Sequence, residues 1–84
     1  MDVIAIFSSR NETLYFSRLL QDSSFYTQII NTPKEAGRVC GISVKFSYNI
    51  LPYAKNIINS KPFRTFVGFF KYNKTLSGVS LERL

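Results

Sequence analysis

The chain has 84 residues, which is enough for one small domain and too few for two. It is 45% hydrophobic with eight Phe and five Tyr, and this excludes a disordered chain because so much apolar surface drives folding. The formal net charge of +6 favours acidic partners, although a soluble surface with a lysine bias accounts for the same charge without any partner.

The chain contains one cysteine, Cys40, and no histidine. One thiol cannot form an internal disulfide and suits the reducing cytoplasm, which is where we expect the protein. These residues cannot build a structural zinc site within the chain, so we expect no metal or other cofactor. No stretch approaches the roughly 18 apolar residues of a membrane span, and the apolar start is interrupted by polar residues too early for a signal peptide, so we expect no membrane association.

The first half of the chain shows a strand, a helix and a second strand. Residues 3–7 are continuously apolar and rich in β-formers, which predicts a buried central strand. Ser9 followed by Glu12 is a capping-box pattern, and apolar residues then recur at helical spacing to about Asp22. Residues 25–30 alternate in the manner of a strand.

A short helix is predicted next, between the second and third strands. Thr32 is the expected N-cap, with Pro33 at the first helical position and Glu35 at the third, so one or two turns should run from about Pro33 to Val39. Gly41 suits the left-handed position just past the end of that helix. Residues 42–46 alternate again and predict the third strand.

The last elements are a second long helix and a fourth strand. Asn49 is the expected cap of the helix, which the Ser60-Lys61-Pro62 segment ends. Residues 63–72 alternate and predict the fourth strand, with Phe66 and Phe70 on one face. From Asn73 the sequence becomes polar, so we expect a domain over residues 1–72 and a loose tail over residues 73–84.

This order of elements predicts an α+β fold of the ferredoxin-like βαββαβ type. Its four-stranded antiparallel sheet carries two helices on one face, and right-handed crossovers place strands one and three in the centre. The other face of the sheet, with Phe66 and Phe70, is left without helices. Two alternatives stand for it: it takes part in dimerisation or ligand binding, or the C-terminal tail covers it.

Cys40 is the one residue capable of thiol chemistry. A thiolate is a strong nucleophile that can carry sulfur or selenium as a covalent adduct, and the nearby Lys34 and Arg38 would help to ionise it. Two features oppose this: a helix places Arg38 roughly opposite to Cys40, and the C-terminal end of a helix disfavours a thiolate. The alternative is a buried cysteine that packs as a small hydrophobe.

The sequence around Cys40 resembles a family of small bacterial proteins described as selenium or sulfur carrier-like. The resemblance covers about residues 2–72, and it rests on Phe7-Ser8-Ser9, on Asn31-Thr32-Pro33-Lys34-Glu35 and on Cys40-Gly41-Ile42-Ser43-Val44-Lys45-Phe46. It implies that Cys40 is the carrier residue.

A supporting motif goes with this implied role. Thr32, Pro33 and Glu35, with Gly41, would shape the turn, while Lys34 and Arg38 would offer positive charge to an anionic adduct or an acidic partner. The expected partner is a cysteine desulfurase or a protein of selenium metabolism, and the protein would be a relay, not an enzyme.

Other function classes are less well supported by the residues. The five acidic residues are scattered, no Gly-rich phosphate loop ends in Lys-Ser/Thr, and Ser–His chemistry is impossible without histidine. Residues 66–72 are aromatic, but they lack the order and the strand position of an RNA-recognition motif, so nucleic acid is not the expected partner. The main alternative to a carrier is a non-covalent binding or regulatory module that forms a homodimer through its sheet, with Cys40 structural.

Overall fold

The computed structural model describes residues 1–37, 39 and 41–84. Within these residues the chain is an α+β protein with two α-helices and one antiparallel sheet of five strands. The elements in chain order are β1 (Asp2–Phe7), α1 (Arg10–Asp22), β2 (Gln28–Asn31), a 3₁₀ turn (Lys34–Ala36), β3 (Ile42–Ser47), a second 3₁₀ turn (Tyr48–Ile50), α2 (Leu51–Ser60), β4 (Phe66–Thr75) and β5 (Gly78–Arg83). No helix in the described part of the chain is both long and apolar enough to cross a membrane.

The sheet has the strand order β2-β3-β1-β4-β5. The prediction that β1 and β3 lie inside the sheet is confirmed. The predicted four-stranded ferredoxin-like layout is not matched in full, because β5 adds a fifth strand beside β4. The expected loose tail over residues 73–84 is therefore wrong: its first residues extend β4, and most of the rest forms β5.

Helix α1 begins as the sequence predicts. The Ser9 hydroxyl accepts the backbone N–H of Glu12 at 3.3 Å, so Ser9 is the N-cap. The second half of the capping box does not form, because the Glu12 carboxylate reaches forward to the chain before β4. There it accepts the N–H of Arg64 at 3.0 Å, the N–H of Thr65 at 2.9 Å and the Thr65 hydroxyl at 2.6 Å. These bonds join the start of α1 to the start of β4, and they hold the pKa of Glu12 below its usual value, with the Thr65 hydroxyl as the largest cause.

Two other predicted boundaries differ from the structure. Strand β2 begins at Gln28, because Phe25 packs its ring against Tyr53 of α2 at 4.9 Å instead of joining the sheet. Asn49 is not the cap of α2. The Ser47 hydroxyl accepts the N–H of Asn49 at 3.4 Å, and the 3₁₀ turn that follows leads directly into the helix, with Pro52 tolerated in the first turn.

The main core lies between the sheet and the two helices, on what we call the helix face. Val3, Ala5 and Phe7 project from β1 into this core. They pack with buried side chains of both helices and the neighbouring strands: Phe16, Leu20, Val44, Phe46, Ile50, Leu51, Ala54 and Phe69. The face is rich in aromatic contacts, and the Phe7 ring lies 5.3 Å from Phe16.

A β-bulge changes which side chains of β4 face the helices. Ile6 pairs with Gly68 whereas the next residue, Phe7, pairs with Phe66, so Val67 is the extra residue. Phe66 consequently turns to the helix face, where its ring lies 5.2 Å from Phe7. The prediction that Phe66 and Phe70 share one face is therefore wrong, since a one-residue insertion reverses the alternation.

Candidate functional site

The candidate site is the β2–β3 connection, residues 32–41. Cys40 and Arg38 fall outside the described residues, so the predictions about them have no structural counterpart. The structure does describe Cys40's neighbours Val39 and Gly41 and the segment 32–37. These residues show how the chain on both sides of the thiol is held.

The base of the connection is closed by hydrogen bonds next to the sheet. The N–H of Thr32 donates to the carbonyl oxygen of Gly41 at 2.9 Å, directly after the ladder pair of Asn31 and Ile42. The Thr32 hydroxyl also bonds the Ser43 hydroxyl at 2.6 Å, and Ser43 is fully buried. Gly41, the residue after Cys40, is thus tied to β2 through its own backbone carbonyl.

The turn inside the connection is shorter than predicted. In place of a helix from Pro33 to Val39, a single 3₁₀ turn spans Lys34–Ala36, and Pro33 in an extended conformation occupies the N-cap position that was assigned to Thr32. The N–H of Ala36 donates to Pro33 at 3.0 Å and that of Gly37 to Lys34 at 3.1 Å. The Thr32 hydroxyl bonds the Ser43 hydroxyl and does not cap the turn.

Gly37 ends the turn with a positive φ of 84°, a conformation that glycine adopts without steric cost. This residue terminates the turn three positions before Cys40. The turn ends at Ala36, so the left-handed position after it is taken by Gly37 and not, as the sequence predicts, by Gly41.

Glu35 ties the connection to a distant part of the chain. Its carboxylate accepts the backbone N–H of Val79 in β5 at 3.2 Å. Bonds from its own backbone N–H and from that of Val79, together with the charge of Lys34, hold the pKa of Glu35 below its usual value. The sequence places Glu35 in the turn but does not predict this contact with Val79.

This contact brings the connection next to the far strand of the sheet. β2 lies at one edge of the sheet and β5 at the other, yet the 3₁₀ turn lies against β5. The two helices occupy the helix face. The connection leaves β2 on the opposite side, where Thr32 bonds Ser43. We call that opposite side the second face.

The second face is covered within a single chain. Ile4 and Ile6 of β1 point away from the helix-face core, and both are fully buried. Phe70 pairs with Ile4 on the same face, and the Arg83 guanidinium stacks over its ring at 4.8 Å. Of the two alternatives left by the sequence, coverage by the C-terminal residues therefore has direct support, since Arg83 lies over Phe70 on this face.

Arg83 also stabilises the bulge of β4, because its guanidinium donates to the carbonyl oxygen of Val67 at 3.0 Å. Lys34 of the predicted motif is exposed on the connection. Among the residues that the structure describes, no group of three acidic or cysteine side chains could hold a metal ion. An open groove between α1 and β2, lined by Leu14, Tyr15, Ser17, Arg18, Gln21 and Ile29, lies on the helix side of the sheet and does not include the connection.

The fold and the site define a small basic α+β protein. Its single thiol belongs to the β2–β3 connection, which joins two antiparallel strands and is closed at its base by hydrogen bonds. Residues 2–65 match the family model described as "Putative Se/S carrier protein-like". This match spans well over half of the chain, so the protein belongs to that family. No curated protein and no solved structure matches the chain.

The matched range runs from β1 through α2 and includes the whole β2–β3 connection. It ends just before β4, so the hairpin of β4 and β5 lies beyond it. The contact between Glu35 and Val79 therefore joins the matched part of the chain to a hairpin outside the match.

Proposed function

We propose that the protein carries sulfur or selenium on Cys40 and passes it between proteins. The family to which the chain belongs is the observation that carries this proposal. Two further facts support it: Cys40 is the only thiol of the chain, and it lies in a connection whose base is closed on β3. The proposed role is a relay with no catalytic turnover of its own.

The chemistry needs only a nucleophilic thiolate. The Cys40 thiolate attacks the outer sulfur of a persulfide on a donor protein, a new S–S bond forms at Cys40, and the S–S bond of the donor breaks. The donor leaves as a thiolate and takes up the proton released when Cys40 ionises. Sulfur is transferred between two thiols, so no external oxidant or reductant is consumed. Selenium bound to a donor cysteine would move by the same exchange.

The residues around Cys40 support this role in three ways. The bonds of Thr32 to Gly41 and Ser43 fix the end of the connection nearest to the thiol. Exposed Lys34 adds positive charge to the connection, and Arg38 adds a second charge close to Cys40 in sequence; both would favour an anionic adduct or an acidic donor. A cysteine desulfurase or a protein of selenium metabolism is the proposed donor, and the cytoplasm is the proposed location because it keeps free thiols reduced.

The alternative proposal is a non-covalent module that dimerises through its sheet, with Cys40 structural. Ile4 and Ile6 would be the centre of such an interface, but they are already fully buried within one chain. The carrier proposal therefore has the stronger support. For the fold we likewise propose a ferredoxin-like core over β1 to β4 that β5 extends.

Mass spectrometry of the intact protein tests the carrier proposal. The protein is incubated with a cysteine desulfurase and cysteine, and a known sulfur acceptor is treated in parallel. We expect the mass of one added sulfur atom, which a thiol reductant removes, and no addition to the Cys40→Ser variant. The proposal fails if the known acceptor gains sulfur and this protein does not.

A further inference from the structure

The β2–β3 connection is held at two separate places. Its base is closed next to the sheet, where Thr32 bonds Gly41. Its middle is held at the other edge of the sheet, where the Glu35 carboxylate bonds the N–H of Val79. The second attachment fixes the middle of the connection, because the base fixes only its ends.

A glycine at the start of β5, Gly78, lets the Glu35 carboxylate approach the backbone of the hairpin closely. Gly78 has a φ of 142°, which side-chain-bearing residues rarely adopt, and a Cβ atom at this position would lie 2.8 Å from the nearer Glu35 carboxylate oxygen. A glycine thus serves both the hairpin and the approach of Glu35. Gly37 also has a positive φ, but a Cβ atom there would meet nothing within 4 Å. Of these two glycines, only Gly78 is approached closely by another side chain, that of Glu35.

We propose that Glu35 is a positioning residue: its hydrogen bond to Val79 holds the connection that bears Cys40 against the β4–β5 hairpin, and this determines how accessible the thiol is. We call this hydrogen bond the latch. The consequence for sulfur or selenium transfer rests on the proposed function, whereas the latch itself does not. Glu35 acts here as a hydrogen-bond acceptor. A glutamine at this position keeps an acceptor oxygen, but an alanine does not.

The first measurement is amide hydrogen exchange by NMR at Val79 and at Ala36 and Gly37. Loss of the latch in Glu35→Ala should speed exchange of the Val79 amide roughly three- to tenfold, and that of the connection amides in the same direction. Glu35→Gln should restore most of the protection. Glu82→Ala, which removes an acidic residue from β5 without touching this contact, is the matched control and should leave exchange unchanged.

The second measurement is the rate at which iodoacetamide alkylates Cys40 in the folded protein. The freed connection should give a rate in Glu35→Ala at least roughly threefold above that of the wild type, with Glu35→Gln near the wild type. This rate can be measured whether or not the protein accepts sulfur. It therefore separates a failure of the latch from a failure of the carrier proposal.

The outcomes are distinct. Unchanged Val79 exchange in Glu35→Ala overturns the latch. Faster exchange with an unchanged alkylation rate overturns the positioning of Cys40, because the loosened connection then has no effect on the thiol. A wild-type protein that takes up no sulfur, but whose exchange and alkylation both respond to Glu35→Ala and recover in Glu35→Gln, supports the latch and removes only the carrier role.

Discussion

Replacing Ile4 by alanine tests whether the second face is covered in solution as it is in the structure. Ile4 is fully buried although it points away from both helices. The substitution removes roughly three buried carbon groups, worth about 0.8 kcal/mol each, and adds the cost of the cavity left behind. We therefore expect the free energy of unfolding to fall by about 2.5–4 kcal/mol.

Ile29 is the matched control, because it is the same residue type in a strand of the same sheet but is 42% exposed. Ile29→Ala should lower the free energy of unfolding by about 1 kcal/mol or less. In a domain of this size the difference corresponds to roughly 4–8 °C in Tm for each kcal/mol. Ile4→Val, expected to cost about 0.5–1.5 kcal/mol, serves if the alanine variant is too unstable to purify.

Urea unfolding followed by far-UV circular dichroism and tyrosine fluorescence measures both variants, since the chain has five Tyr and no Trp. A loss of stability in Ile4→Ala no larger than that in Ile29→Ala would contradict burial of Ile4. It would mean that Ile4 is solvated in solution and that the second face is not covered there as it is in the structure.

Two further predictions concern carboxylates that hold distant parts of the chain together. Because the folded-state pKa of Glu12 is lowered, its contribution to stability is present above the unfolded pKa of about 4.3 and is lost as pH falls through the lower folded value. Urea titrations at several pH values should therefore show a shallower acid-side loss of stability in Glu12→Gln and in Thr65→Val, and an unchanged slope would contradict this. Gly78→Ala and Gly37→Ala should each cost roughly 1–2 kcal/mol, since both positions have positive φ, but only Gly78→Ala should also speed Val79 amide exchange by displacing Glu35. Equal exchange in the two glycine variants would contradict the close approach of Glu35.

The strongly periodic elements were predictable because burial sets their pattern. The continuous apolar run of β1 predicted that this strand lies inside the sheet, and Ser9 predicted where α1 begins. The β4–β5 hairpin was missed because β5 is a polar edge strand. It pairs on one side only, and its apolar alternation is limited to Val79 and Leu81, which is too short to indicate a strand. The bulge at Val67 could not be predicted, because the alternation of the sequence continues across it.

The candidate site was predictable in position but not in its attachments. The Thr32-Pro33-Lys34-Glu35 segment correctly indicated a turn between β2 and β3. The partner of Glu35 lies 44 residues away in the sequence, and no local pattern reports a bond of that range. Gly78 is the one signal that points to the hairpin, because a glycine after Thr75-Leu76-Ser77 is typical of a tight turn between strands.

Following the sulfur atom itself shows whether Cys40 carries it. A donor persulfide labelled with a heavy sulfur isotope is mixed with the protein, and peptides are then mapped by mass spectrometry without reduction. We expect one labelled sulfur on the peptide that contains Cys40, and transfer of that label to a second acceptor added later. Label that stays on the donor, while Cys40 remains a free thiol that alkylates normally, would contradict it.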